Sequence, residues 1–195
     1  AFLHHLAAGS APRAVWGAVP GDDWAAMVAE AVGVAYAAGR GVVVCVPDGR
    51  DVDRVSAALE TLLGPGHHAV LRADVGPAQR YAEFLSVSRG ARRVVVGTRS
   101  AAFAPVRNPG LFVIWDDGDP SHAEPRAPYP HTRDVLRIRA EQVGAVAADV
   151  VEIDRAAGVD VVGELTARRG QRAEVAADRL EQRLGAGVRD GPAVG

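Results

Sequence analysis

The chain contains no lysine, and all 22 of its basic residues are arginine. A complete Walker-type phosphate loop is therefore excluded, because its lysine is missing. Schiff-base chemistry on a side-chain amine is excluded too, as is a lysine-bound pyridoxal phosphate. Arginine-only usage beside abundant Ala, Val and Gly first reflects a GC-rich gene. Cysteine is nearly absent. Cys45 stands alone, so the chain can form no internal disulfide and no cysteine-based zinc site. Its place in an apolar run predicts a buried, inert thiol. No apolar run approaches the ~18 residues of a membrane span, and the first residues carry no signal-peptide pattern. These absences predict a soluble, cytoplasmic protein with no membrane partner. Net charge is also scarce, at −2, so any nucleic-acid-binding face must be local.

The 195 residues are 48% hydrophobic, enough for a real core, and the length suits one domain plus an extension. Gly41–Val46, Ala91–Gly97 and Leu111–Trp115 are short apolar runs that predict buried strands, and His68–Leu71 is a weaker one. Helical patterns fall between them: Asp22 or Asp23 to about Ala38, Asp51–Leu63 and Pro77–Ser88, with another over His131 to about Val146. Alternating helices and strands imply an α/β fold with a mostly parallel sheet. Ligands of such sheets bind beyond the carboxyl ends of the strands. Those ends carry Pro47-Asp48, Gly97-Thr98-Arg99-Ser100 and Asp116-Asp117-Gly118-Asp119. After Tyr129 no aromatic residue occurs. The expected layout is a lead-in over 1–13, a lobe over 14–146 and a low-information C-terminal extension over 147–195. Within that extension, Ala173–Leu184 has an amphipathic helical pattern and Gly185–Gly195 reads as a frayed end.

Gly97-Thr98-Arg99-Ser100 offers a backbone amide, two hydroxyls and a guanidinium, a set that suits a phosphate; its plainer reading is a helix cap with a solvated arginine. Asp116, Asp117 and Asp119, with His122 and Glu124 nearby, suit a hard divalent cation. They equally suit a turn whose aspartates cap helices. Clustered carboxylates repel, so arginine partners are also expected, with Arg99, Arg107 and Arg126 as candidates. Pro20-Gly21-Asp22-Asp23 reads as a helix cap, since two carboxylates at a helix start repel phosphate. The pairs His4-His5 and His67-His68 read as surface residues. Pro125, Pro128 and Pro130 predict a stiff, extended loop over the sheet end.

Taken together, several of these segments resemble primosomal protein N′, the PriA-type replication-restart DNA helicases. Val94 to Pro105, with Gly97-Thr98-Arg99-Ser100 at its centre, is similar to that family's strand followed by Gly-Thr-Arg-Ser, then Phe and Pro. Leu111–Asp119 resembles its next strand and acidic motif. Tyr129 to Val135 resembles a Tyr-His-x-Arg-Asp segment. Ala73–Arg80 and Val44–Asp48 supply shorter likenesses, and the resemblance runs from about Ala14 to Ala145. It implies a three-layer RecA-like (P-loop NTPase-like) first motor lobe, with ATP at the sheet end and DNA across the lobes. By that likeness, Thr98, Arg99 and Ser100 would contact a DNA phosphate, with Arg50 and Arg107 as additions. Forked or single-stranded DNA and replication-restart proteins are the implied partners.

The departures are as informative as the matches. The family's phosphate loop falls on Gly17 to Trp24 here, and Gly17, Gly21, Asp22, Asp23 and Trp24 are vestigial positions. Asp23 stands for the phosphate-binding lysine and Trp24 for the magnesium-binding hydroxyl. In the acidic motif, Trp115 stands for the magnesium-facing aspartate, Asp116 for the activating glutamate, and Asp117 follows. No cofactor is expected in this chain, although intact family members use ATP and magnesium and carry a zinc site outside the matched region. The resemblance therefore implies a degenerate, non-hydrolysing branch. The family's Ser-Ala-Thr-Pro motif is not found after Ala145, so a fragment, a truncated paralogue or a misassembled reading is expected. An out-of-frame origin would explain the composition of the tail. Two other functions stand beside this one. One is a metal-dependent hydrolase using Asp116, Asp117, Asp119 and His122. The other is a protein-interaction scaffold.

Overall fold

Runs of valine with no polar interruption can only be buried on both faces of a sheet, and the computed structural model places them there. It describes residues 2–8, 14–18, 21–126, 128–143 and 150–154. All of them lie within one compact unit, 1–158. The predicted helix over Ala173–Leu184 and the frayed end fall outside the described residues.

Strands β1 (Ala14–Gly17), β2 (Gly41–Cys45), β3 (His68–Leu71), β4 (Val94–Gly97), β5 (Pro109–Trp115) and β6 (Val150–Asp154) form one sheet in the order β1-β6-β5-β2-β4-β3. Every pairing is parallel. The helices are α1 (Phe2–Ala8), α2 (Trp24–Ala37), α3 (Gly49–Leu63), α4 (Pro77–Ser88) and α5 (Thr132–Gln142). The expected α/β architecture is therefore present, with helices on both faces of the sheet. Alternation along the strands sends Val43, Cys45, Phe112 and Ile114 to a core shared with Val87, Val135 and Leu136. The opposite face takes Trp24, Val28 and Val32 of α2 and Val52, Val55 and Leu59 of α3, all buried.

Local chemistry explains the helix boundaries. Asp23 caps α2 by accepting from Ala26 N at 3.1 Å. Asp48 caps α3 by accepting from Asp51 N at 2.9 Å, so that helix begins two residues before the expected Asp51. Strand β4 begins at Val94 rather than Ala91, because the amides of Ala91 and Arg92 turn back to Ser86 O. Helix α5 stops at Gln142, short of the expected Val146, with Val143 as its cap. Strand β6 was not singled out in the sequence and lies inside the stretch read as the tail. It seats between β1 and β5.

Gly97 closes β4 where the backbones crowd. A Cβ there would stand 2.1 Å from Leu71 O and 2.8 Å from the Ala101 side chain, so only glycine lets the strand end meet β3. Gly118, in the loop after β5, would meet nothing within 4 Å. Gly97→Ala should lower stability by about 1–3 kcal/mol, a typical cost of overpacking. Gly118→Ala should leave it nearly unchanged. Urea unfolding of the two variants beside the parent checks the contrast.

Candidate functional site

The carboxyl edge of the sheet gathers most of the residues that the sequence marks. At the end of β1, Gly17 leads towards α2, and Gly21 takes a left-handed backbone (φ +98) just before that helix. A strand and then a helix thus flank the positions where the resemblance expects a phosphate loop. Asp23 places its own carboxylate on an amide of the helix start, where a phosphate would otherwise sit. Trp24 then packs face to face on Trp115, with ring centroids 4.0 Å apart and planes 5° from parallel. Both indoles are buried. Arg54 from α3 lies over the Trp24 ring at 5.0 Å. The two positions that the resemblance assigned to magnesium are filled by one stacked aromatic pair.

Past Trp115, a tight turn carries the acidic group. Asp116 has a left-handed backbone (φ +52), and Asp119 N closes the turn on Asp116 O at 2.9 Å. The carboxylates do not converge. Asp117 is buried and pairs with Arg133, with His131 Nδ1 at 3.9 Å. Asp119 caps the short 3-10 turn Pro120–His122 through Ser121 N. Glu124 pairs with Arg99. Among the described residues, no group of three His, Cys, Asp or Glu side chains could hold a metal ion. The metal-dependent hydrolase reading is corrected on this geometry, since arginine pairing and capping absorb the charge instead. Arg99 is one of the expected arginine partners, and Arg126 lies 4.0 Å from Glu124. Arg107 is not one; its Nε donates to Ser88 O at the opposite edge of the sheet. Arg133, which lies in the Tyr129–Val135 segment, is a partner that the sequence pattern does not mark.

His122 is fully buried, and its Nε2 donates to Trp115 O at 2.9 Å. Its own carbonyl accepts from Thr132 Oγ1 at 3.0 Å. Burial pushes this imidazole below its ordinary value of 6.5. His68 shifts the same way for the same reason. It is buried on β3, which corrects its reading as a surface residue, while His67 bonds the Tyr36 hydroxyl at 3.0 Å. His4 and His5 are exposed on α1. Cys45 is buried and pushed up to about 12 by desolvation, so its thiol stays protonated.

The Gly-Thr-Arg-Ser segment leaves β4 into a 3-10 turn, Arg99–Phe103. Thr98 and Arg99 are half-buried, and Ser100 is exposed. Arg99 Nη1 donates to Ala123 O at 2.9 Å, and its Nη2 reaches Glu124. A cleft of about 420 Å³ opens here, lined by Thr98, Arg99, Ser100, Phe103, Tyr129 and Val135, among others. Phe103 and Tyr129 are exposed aromatics at its mouth. Arg50 is exposed in the first turn of α3, on the same edge of the sheet. The structure therefore gathers Thr98, Arg99, Ser100 and Arg50 on one edge and sets Arg107 on the other.

The chain is 48% identical over 146 residues to a probable replication restart protein PriA of Mycobacterium leprae, covering 75% of this chain and 22% of that protein. The Mycobacterium tuberculosis protein of that name is 47% identical over the same length. A replication restart protein PriA of Bacillus subtilis is 34% identical over 73 residues, 37% of this chain and 9% of that protein. The chain spans about 22% of the length of the mycobacterial relatives. No family model matches it.

A histidine held neutral by burial fixes the sign of the acid response. Below pH 6.5 the unfolded chain takes up protons that folded His122 and His68 resist, so stability should fall as the pH drops. His122→Gln keeps a donor towards Trp115 O and should flatten part of that slope. Urea unfolding between about pH 5 and 8 reads it.

Proposed function

We propose, from the kinship of 146 of its residues with the PriA replication restart proteins, that this chain is a motor-like lobe that binds DNA without hydrolysing ATP. It would serve replication restart in the cytoplasm, on forked or single-stranded DNA and beside other restart proteins. Among the described residues, no helix is long and apolar enough to cross a membrane.

The observation that carries the reading is the Trp24–Trp115 stack. Phosphoryl transfer depends on positioned cations around the triphosphate. At the two positions that resemble the magnesium-facing pair, this chain has indoles, and Asp23 adds a negative charge where the family has lysine. ATP and magnesium do not fit these residues. What remains is a parallel-sheet edge that displays Thr98, Arg99, Ser100 and Arg50. Arginine's fork geometry matches phosphate oxygens, and the exposed rings of Phe103 and Tyr129 beside it can take bases on their faces.

One surface feature favours a scaffold role alongside this. Val87 is the single buried residue of α4, and Tyr81 and Phe84 point outward from that helix. Exposed aromatics of this kind suit a protein partner.

Binding of a labelled forked DNA across a salt series should weaken steeply with salt. Arg99→Ala should reduce it about tenfold at low salt, the scale of one charge-assisted contact. Absence of binding by the folded chain would overturn the DNA reading and move the search to protein partners.

The stack makes a separate prediction. Trp24→Ala should cost about 3–5 kcal/mol. In a cycle with Trp115→Ala, the two losses should couple by about 0.5–1.5 kcal/mol. Magnesium-ATP should leave the tryptophan fluorescence of the parent chain unchanged.

A further inference from the structure

The arginine best placed for a phosphate already holds an acid. Both Nη atoms of Arg99 are engaged by the loop that follows the acidic turn, Nη1 by Ala123 O at 2.9 Å and Nη2 by Glu124 Oε2 at 2.5 Å. The two oxygens meet the guanidinium fork as two phosphate oxygens would. A second guanidinium, that of Arg126, has its Nε 4.0 Å from Glu124 Oε1. Arg126 is largely exposed, so the carboxylate chiefly neutralises Arg99 at the mouth of the cleft.

The loop is anchored on both sides of Glu124. His122 is buried against Trp115 O, and Thr132 Oγ1 ties the start of α5 back to His122 O. Pro125 follows Glu124 directly and restricts its backbone. The carboxylate is therefore presented to Arg99 by a fixed scaffold. Its side chain is about one-fifth exposed, so solvent reaches the carboxylate.

We propose that Glu124 is a built-in competitor for phosphate at Arg99, displaced when a phosphodiester oxygen takes its place on Nη2. This inference rests on the DNA-binding reading of Arg99. Glu124 then sets a threshold: isolated phosphates meet an occupied arginine, and a strand that makes further contacts along the edge can displace the carboxylate. Its exchange frees the one guanidinium that the carboxylate holds, that of Arg99.

The test uses the full chain with a labelled oligothymidylate over a salt series. Compared are the parent, Glu124→Gln, Arg99→Ala and the double variant, with folding followed by circular dichroism. Glu124→Gln should bind about threefold to fivefold tighter at low salt, the scale of a partly exposed ion pair. It should also steepen the salt dependence, by up to about one phosphate's worth. Neither gain should survive in the Arg99→Ala background. Glu30→Gln, an equal charge change on exposed α2 surface, should give no gain. If Glu30→Gln matches Glu124→Gln, or if the gain persists without Arg99, only bulk charge is at work and the competitor is overturned. If Arg99→Ala weakens binding while Glu124→Gln leaves it unchanged, the competitor fails and the DNA reading stands. If no folded variant binds, the DNA reading falls and the competitor falls with it.

Discussion

The end of β5 is the point on which the rest of the edge depends. Trp115 stacks on Trp24 on one side of the sheet, and its carbonyl receives His122. That second bond carries the chain onward, because His122 in turn holds Thr132 at the start of α5. One residue therefore couples α2, the acidic turn and the proline-rich loop. A buried aromatic pair packs without requiring charge compensation, whereas a nucleotide site needs exposed, charged and partly unsatisfied groups.

The same logic runs through the acidic turn. Three aspartates and a glutamate within nine residues would repel if left together. The fold disperses them: Asp117 goes to Arg133, Asp119 to a turn amide and Glu124 to Arg99. The left-handed backbone at Asp116 starts this dispersal by turning the chain sharply out of the strand. Asparagine and aspartate tolerate that conformation better than most residues. What reads along the chain as one acidic cluster is in space a set of separate structural pairs. The arginine that emerges beside the cleft is therefore poised by an acid from the neighbouring loop.

Much of the architecture was legible in the sequence because buried parallel strands have a direct signature. Val42 to Val46, Val94 to Val96 and Leu111 to Trp115 lack the polar alternation of a half-exposed sheet. Helix α3 likewise shows its buried stripe, Val52, Val55, Leu59 and Leu63, at helical spacing. Strand β6 was not legible, because Glu152 and Asp154 interrupt the apolar run by which the other buried strands are read. Val150–Asp154 gains its place from β1 on one side and β5 on the other. The burial of His68 was hidden for a similar reason, since an edge strand's inward face depends on which helix covers it.

The sequence by itself determined the α/β class, the carboxyl-edge location of Thr98, Arg99 and Ser100, and the absence of any lysine. Each of these follows from local pattern or residue identity. The tertiary structure alone decided that the two substituted tryptophans meet, that the carboxylates part to separate partners, and that Glu124 occupies Arg99 while Arg107 lies on the far edge. Trp24 and Trp115 are 91 positions apart, and Arg99 and Glu124 are 25 apart. Such contacts arise from strand order and crossover path, which bring distant residues together without leaving any mark in the local sequence.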